Sequence, residues 1–279
     1  MQMPDAEVIR PAAVAGRFYA ENRQQLSSAV TSYLSDGAAG TRTGLQGQPL
    51  PVGRVKALIC PHAGYIFSGP VAGSAYAALG ADATAIRRVV VIGPAHRVEV
   101  RGLVAASAGV FATPLGGVRV DPVVGALCTE GLIHIDDAAH REEHALEVQL
   151  PFLQSILEDF TIVPLLFGQC EPSEIAGLME RLWGGEETLF VISSDLTHFH
   201  PHSVATQLDH LTSTAIESLD ADGIDEGAAC GRLAVQGLLQ VAARRGLVAT
   251  AIDVRTSAET AGDPDRVVGY GAYVFHVDG

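Results

Sequence analysis

Apolar positions along this chain form short runs set between helical patterns. Residues 22–35 come first, with Leu26, Val30 and Leu34 at spacing four, and they predict a helix with one buried face. Four runs then show no polar alternation: Val55–Cys60, Arg88–Ile92, Phe160–Phe167 and Leu189–Ile192. Runs of that kind suit strands covered on both faces, as parallel strands are. Helical spacing occupies residues 71–79, 143–157, 175–183, 203–219 and 231–245, with Pro151 placed to kink or restart the second of these. Leu103–Val110 and Gly117–Val120 flank a Thr-Pro-Leu-Gly-Gly turn and predict a hairpin, and Val248–Val254 and Tyr270–His276 close the chain as strands. The segment to about Tyr19 reads as irregular. Residues 36–53, rich in Gly, Thr, Gln and Pro, read as a flexible surface loop within one domain spanning 1–279. A β–α alternation of this length predicts an α/β fold, with one mostly parallel central sheet and helices on both faces.

Composition agrees with a large buried core. The chain has 279 residues, 48% of them hydrophobic and only 18% charged, which excludes disorder as the dominant state. The net charge is −14, and the basic residues offer pairs (Arg87-Arg88, Arg244-Arg245) rather than patches. Nucleic acid is therefore not an expected partner, because its binders neutralise phosphates with clustered Lys and Arg. No run approaches the roughly 18 apolar residues that span a bilayer, and MQMPDAEVIRP lacks a basic region followed by an apolar stretch. Cys60, Cys128, Cys170 and Cys230 are scattered and form no CxxC pair. The expectation is a reduced, cytoplasmic protein with no membrane partner.

Candidate chemistry gathers where strands end. ALICPHAGY places His62 just past a strand, VVVIGPAHR places His96, and LFVISSDLTHF places Asp195 and His198. Ligands of open α/β sheets bind beyond the carboxyl ends of strands, so three such ends can converge on one point. Imidazole suits Zn, Fe, Cu and Ni, and two His with one anionic ligand suit non-heme iron or hydrolytic zinc. The anion could be Asp195 or a thiolate from Cys230. Cys230 stands at or just before a predicted helix start, where a thiol pKa falls, although a lone cysteine is commonly buried and inert. Asp195 and His198, three apart, suit acid–base work if they share one turn; Asp195 could equally cap the following helix. His144 stands three residues before Glu147, a spacing that puts both on one helical face. GPVAGSA, from Gly69, reads either as a helix start holding a small anion or as a close helix contact. There is no GxGxxG after a strand, no P-loop, no GxSxG and no HExxH, so no nucleotide cofactor is expected.

These residues resemble the Memo family, whose bacterial members are called AmmeMemoRadiSam system protein B. The matching blocks are RPAAVAGRFY (10–19), PHAGYIFSGPVAGSAY (61–76), VVVIGPAHR (89–97), the TPLG turn (113–116), EEHALEVQLPFL (142–153), ISSDLTHFH (192–200), CGR (230–232) and VGYGAYVF (268–275). Phe67 stands where family members often carry a second tyrosine. The resemblance implies a single-domain, three-layer α/β/α fold like that of LigB-type extradiol dioxygenases. It also implies a pocket in which His62, His96 and Cys230 hold iron(II) or copper, with zinc as a further option. Asp195 and His198 match neighbouring acid–base residues, and His144 matches a histidine lining the pocket. The implied activity is dioxygenase-like redox chemistry on a small substrate. Alternatives are a non-catalytic protein that binds a peptide or partner in the same pocket, and a zinc hydrolase. AMMECR-like and radical SAM proteins of the same system are the partners implied.

Overall fold

The computed structural model describes residues 8–40, 44–45, 47, 50 and 53–277. Its strands are β1 (Ile9–Arg10), β2 (Val55–Cys60), β3 (Arg88–Pro94), β4 (Leu103–Ala105), β5 (Val110–Thr113), β6 (Gly116–Val120), β7 (His134–Ile135), β8 (Thr161–Phe167), β9 (Thr188–Ser193), β10 (His198–His200), β11 (Leu247–Thr256) and β12 (Val267–Val277). The helices are α1 (Arg23–Gly40), α2 (Tyr65–Ala77), α3 (Val123–Thr129), α4 (Asp137–Arg141), α5 (Leu150–Ile156), α6 (Pro172–Arg181), α7 (His202–Glu217) and α8 (Arg232–Arg245). The strands form one sheet in the order β1-β5-β6-β8-β3-β9-β2-β12-β10, with β11 on β12 and β4 joining β8 to β7. The centre, β8-β3-β9-β2, is parallel, while antiparallel pairs such as β5/β6 and β11/β12 lie toward the flanks.

Strand residues alternate between two cores, one on each face of the sheet. Leu58, Val89 and Val91 face a core shared with Leu26 and Val30 of α1, Val71 and Ala75 of α2, and Phe152 of α5. Their neighbours Ala57, Ile59, Val90 and Ile92 face the other core, with Ile175 and Met179 of α6, Ile216 of α7 and Leu238 and Leu239 of α8. Period-two alternation with both faces apolar is what makes these runs read as unbroken hydrophobic segments. The result is the three-layer α/β/α arrangement. No helix among the described residues is long and apolar enough to cross a membrane.

Several boundaries differ from the expectation. α1 continues to Gly40, into residues expected to be loop; a Cβ at Gly37 would meet the Gly73 carbonyl oxygen at 2.6 Å, so α1 and α2 touch backbone to backbone there. Of the remainder of that loop, residues 41–43, 46, 48–49 and 51–52 lie outside the described residues. α2 starts at Tyr65 rather than Val71, which puts Gly69 inside the helix and not at its start. A Cβ on Gly69 would stand 2.6 Å from the Tyr33 ring, so this glycine serves helix contact rather than anion binding. The expected hairpin is β5 with β6; β4 leaves it to pair with β8. Residues 143–157 are not one helix: 143–146 are irregular, Glu147–Gln149 form a 3-10 turn, and Pro151 sits in the first turn of α5, as a restart requires.

One buried imidazole outside the site has a consequence for acid stability. His140 of α4 is 2% exposed, and its Nε2 lies 3.1 Å from the Val104 carbonyl oxygen. Burial lowers its pKa from 6.5 to about 4. Below the unfolded value the unfolded chain binds the proton and the folded chain does not, so stability falls as pH drops from 6.5 toward 4. The loss from this one group is roughly 3 kcal/mol. Urea midpoints of wild type and His140→Gln, compared at neutral pH and near pH 4, should show a shallower acid loss in the variant. An identical pH dependence would contradict it.

Candidate metal centre

β3, β9 and β2 are consecutive parallel strands, and each runs past its last residue into a turn bearing a polar side chain. His62 follows β2, Asp195 follows β9 and His96 follows β3, so the three expected strand ends do converge. A third imidazole, His144, comes from the irregular segment before the 3-10 turn. The ring centroids lie 5.0 Å apart for His62–His96, 5.4 Å for His62–His144 and 4.7 Å for His96–His144. One ligand nitrogen from each lies within 4.8 Å of the other two. His62 is buried, His144 half-buried and His96 exposed, which leaves the His96 side open to solvent.

The rings are held from behind. His62 Nδ1 lies 2.9 Å from Ser193 Oγ, and His96 Nδ1 lies 2.9 Å from Glu143 Oε1. Glu143, 2% exposed, also accepts the backbone N–H of His96 at 2.6 Å, of His144 at 2.9 Å and of Ala145 at 3.0 Å. Burial works against ionising Glu143, but the imidazoles of His144 and His96 and the Ala145 N–H outweigh it and hold the carboxyl well below the usual carboxylate range. His144 Nδ1 lies 3.0 Å from the same Oε1, out of line for a hydrogen bond, and is a buried nitrogen with no partner. Burial lowers the His62 pKa to about 4, so this imidazole is neutral at pH 7. An imidazole whose Nδ1 is anchored by a protein oxygen, as in His62 and His96, presents Nε2 as a metal donor, the usual architecture of a histidine metal site. The donor set therefore fits Zn, Cu, Fe or Ni.

Cys230 lies against this cluster. Its Sγ is 3.1 Å from His62 Nε2 and accepts the Asp195 N–H at 3.2 Å. Burial and the Asp195 charge push the thiol up to about 12. The expected lowering by a helix start is absent, because Gly231 caps α8 and Cys230 stands outside it, half-buried beside a carboxylate. Asp195 Oδ1 accepts the His62 backbone N–H at 2.7 Å, and Oδ2 lies 4.0 Å from His62 Nε2. His198 is not brought to Asp195. Residues 194–197 form no helical turn, His198 belongs to β10, and among the described residues it makes no hydrogen bond or ion pair with Asp195 or the three histidines. Nor does Asp195 cap a helix, since α7 starts at His202 after Pro201.

Glu143 is the residue beside the histidines that pattern reading passes over. The spacing of His144 and Glu147 points to the wrong acid. Glu147 is fully buried elsewhere, accepting from Arg10 Nη1, Tyr19 Oη and the Ala13 and Val14 N–H groups. The available signal was adjacency: an acid directly before His144 in EEHALE.

Comparison with known proteins covers nearly the whole chain. Residues 10–274 match the model of a family described as Memo-like protein. A MEMO1 family protein of Desulfurococcus amylolyticus is 31% identical over 96% of this chain and 99% of its own. One of Methanosarcina barkeri is 32% identical, covering 95% and 99%, and one of Ignicoccus hospitalis is 34% identical, covering 96% and 99%.

Proposed function

The chain belongs to the Memo family, and on that footing we propose that it is a redox protein holding iron or copper on His62, His96 and His144, with Cys230 beside the metal. The observation that carries this reading is the set of three imidazoles with ligand nitrogens within 4.8 Å of one another. Bound iron or copper would supply one-electron chemistry and oxygen activation on a small substrate. The chain's own residues prepare the place for it. His62 needs no proton displaced to donate, because burial keeps it neutral. The Glu143 anion orients His96 and offsets part of a cation's charge. Cys230, 3.1 Å from His62 Nε2, is the added donor that would favour a soft metal such as copper. Asp195 holds the His62 backbone, and its Oδ2, 4.0 Å from His62 Nε2, would exchange a proton with a substrate bound beside the metal. Solvent and substrate enter on the exposed His96 side.

The absence of a carboxylate from the three-imidazole set favours a second reading, catalytic zinc with an open position. Anaerobic purification with elemental analysis separates these readings. Wild type is expected to hold iron or copper in stoichiometric amount, and His62→Ala, His96→Ala and His144→Ala to lose it without unfolding. Zinc alone, lost in the same variants, would replace redox chemistry with hydrolysis. Full retention in all three variants would remove the assignment. No uptake even after anaerobic loading would leave a pocket that binds a peptide or partner segment instead.

A further inference from the structure

We infer that Ser193, its hydroxyl hydrogen taken by the Ala145 carbonyl, locks His62 as the Nδ1–H tautomer, with the Nε2 electron pair on the side of Cys230 Sγ, 3.1 Å away. The consequence for metal affinity rests on the metal reading above; the tautomer itself does not. Ser193 Oγ has three polar neighbours: the Ala145 carbonyl oxygen at 2.6 Å, Gln149 Nε2 at 3.0 Å and His62 Nδ1 at 2.9 Å. A hydroxyl has one hydrogen to give and two electron pairs to offer. The Ala145 oxygen can only accept, and Ser193 is its one donor among the described residues. The hydroxyl hydrogen therefore goes to Ala145, and Ser193 must accept from both Gln149 and His62.

The orientation of Gln149 is set by chemistry as well. Its Nε2 lies 2.9 Å from the Pro61 carbonyl oxygen, and its Oε1 accepts from Tyr76 Oη at 2.8 Å. A flipped amide would set two acceptors against each other at Pro61. The two amide hydrogens are thus committed, one to the residue preceding His62 and one to Ser193. His62, Gln149, Ser193 and Tyr76 are all 1% exposed or less, so water cannot replace a missing partner. The opposite tautomer would turn the Ser193 hydrogen toward Nδ1 and orphan the Ala145 oxygen. It would also place a proton on Nε2, where a metal needs an electron pair. Ser193 is accordingly the positioning residue: Ala145 fixes its hydrogen, and Gln149 and His62 fill its two electron pairs.

The test starts on metal-free, 15N-histidine-labelled protein at neutral pH, with His62→Gln to assign the signal. Long-range proton–nitrogen spectra should show His62 protonated at Nδ1 and bare at Nε2. A proton on Nε2 in wild type overturns the inference, whatever any variant does. Ser193→Ala, which removes only the hydroxyl, should keep its circular dichroism and cooperative unfolding. It should show His62 as a tautomer mixture and weaken Co(II) binding by about 10–100-fold. A variant that keeps the single tautomer and wild-type Co(II) affinity would reduce Ser193 to a packing residue and also overturn the inference. Wild type that binds no Co(II) while showing the Nδ1–H tautomer would refute the metal reading alone.

Discussion

Glu143→Gln is expected to weaken metal binding by on the order of a thousandfold, since an orienting carboxylate is worth about 10–100-fold per ligand and this one serves the segments of two. Its Oε1 receives His96 Nδ1 at 2.9 Å and the N–H groups of His144 and Ala145, while Oε2 receives the His96 N–H at 2.6 Å. Four donors converge on two oxygens, so there is no donor-free side on which an amide NH2 could sit. Whichever way Gln turns, N–H faces N–H, and a buried donor loses its partner. Each such loss costs about 1–3 kcal/mol, so a lower unfolding midpoint should accompany the lost affinity. Titration with Co(II) against a competing chelator measures the first effect, and thermal unfolding of the metal-free protein measures the second. Wild-type affinity in the variant would mean that the rings are oriented by packing alone, with Phe18 against His144 at 4.7 Å as the remaining contact.

Arg10→Met is expected to lower stability by about 3–5 kcal/mol, the usual result of stranding one member of a buried ion pair. Glu147 is fully buried and Arg10 is 6% exposed. Arg10 pairs with Glu147 and also donates to the His140 carbonyl oxygen at 2.8 Å and to that of Glu143 at 2.6 Å. One guanidinium thereby ties the N-terminal segment to the stretch that carries Glu143 and His144. For a domain of this size the loss corresponds to a thermal midpoint lower by roughly 10 °C. The double variant Arg10→Met, Glu147→Leu removes both charges and should be more stable than Arg10→Met, while metal affinity stays below wild type because the Glu143 carbonyl has lost its donor. A thermal midpoint for Arg10→Met within about 2 °C of wild type, well under one stranded charge, would show that water reaches Glu147.

Much of this molecule is legible in its sequence. Unbroken apolar runs such as Arg88–Ile92 identify strands covered on both faces, because a strand's need for burial is written into every one of its residues. His62, His96 and Asp195 stand out for the same reason: a polar residue just past such a run has left the sheet at its carboxyl end. The order of blocks along the chain is enough to suggest the family. Helix ends were less legible. α1 runs to Gly40 because Gly37 lies against Gly73, a contact between residues far apart in the chain.

Other features depend on which segments become neighbours. β3, β9 and β2 lie side by side, and that order brings His96 and His62 together across the end of β9. Gln149 and Ser193, 44 positions apart, become hydrogen-bond partners by the same packing, as do Arg10 and Glu147, 137 apart. Local spacing paired His144 with Glu147 and Asp195 with His198. The structure separates both pairs: Glu147, in a 3-10 turn, is held by Arg10 and Tyr19, and residues 194–197 are irregular, so in neither case does a spacing of three mean a shared α-helical face. The sequence by itself determined the β–α alternation, the apolar faces and the polar residues at strand ends, since these follow from local period and burial. Strand order and loop path, which are long-range, decided that the third imidazole is His144, that Glu143 is the acid behind it, and that the Cys230 thiol lies half-buried against His62.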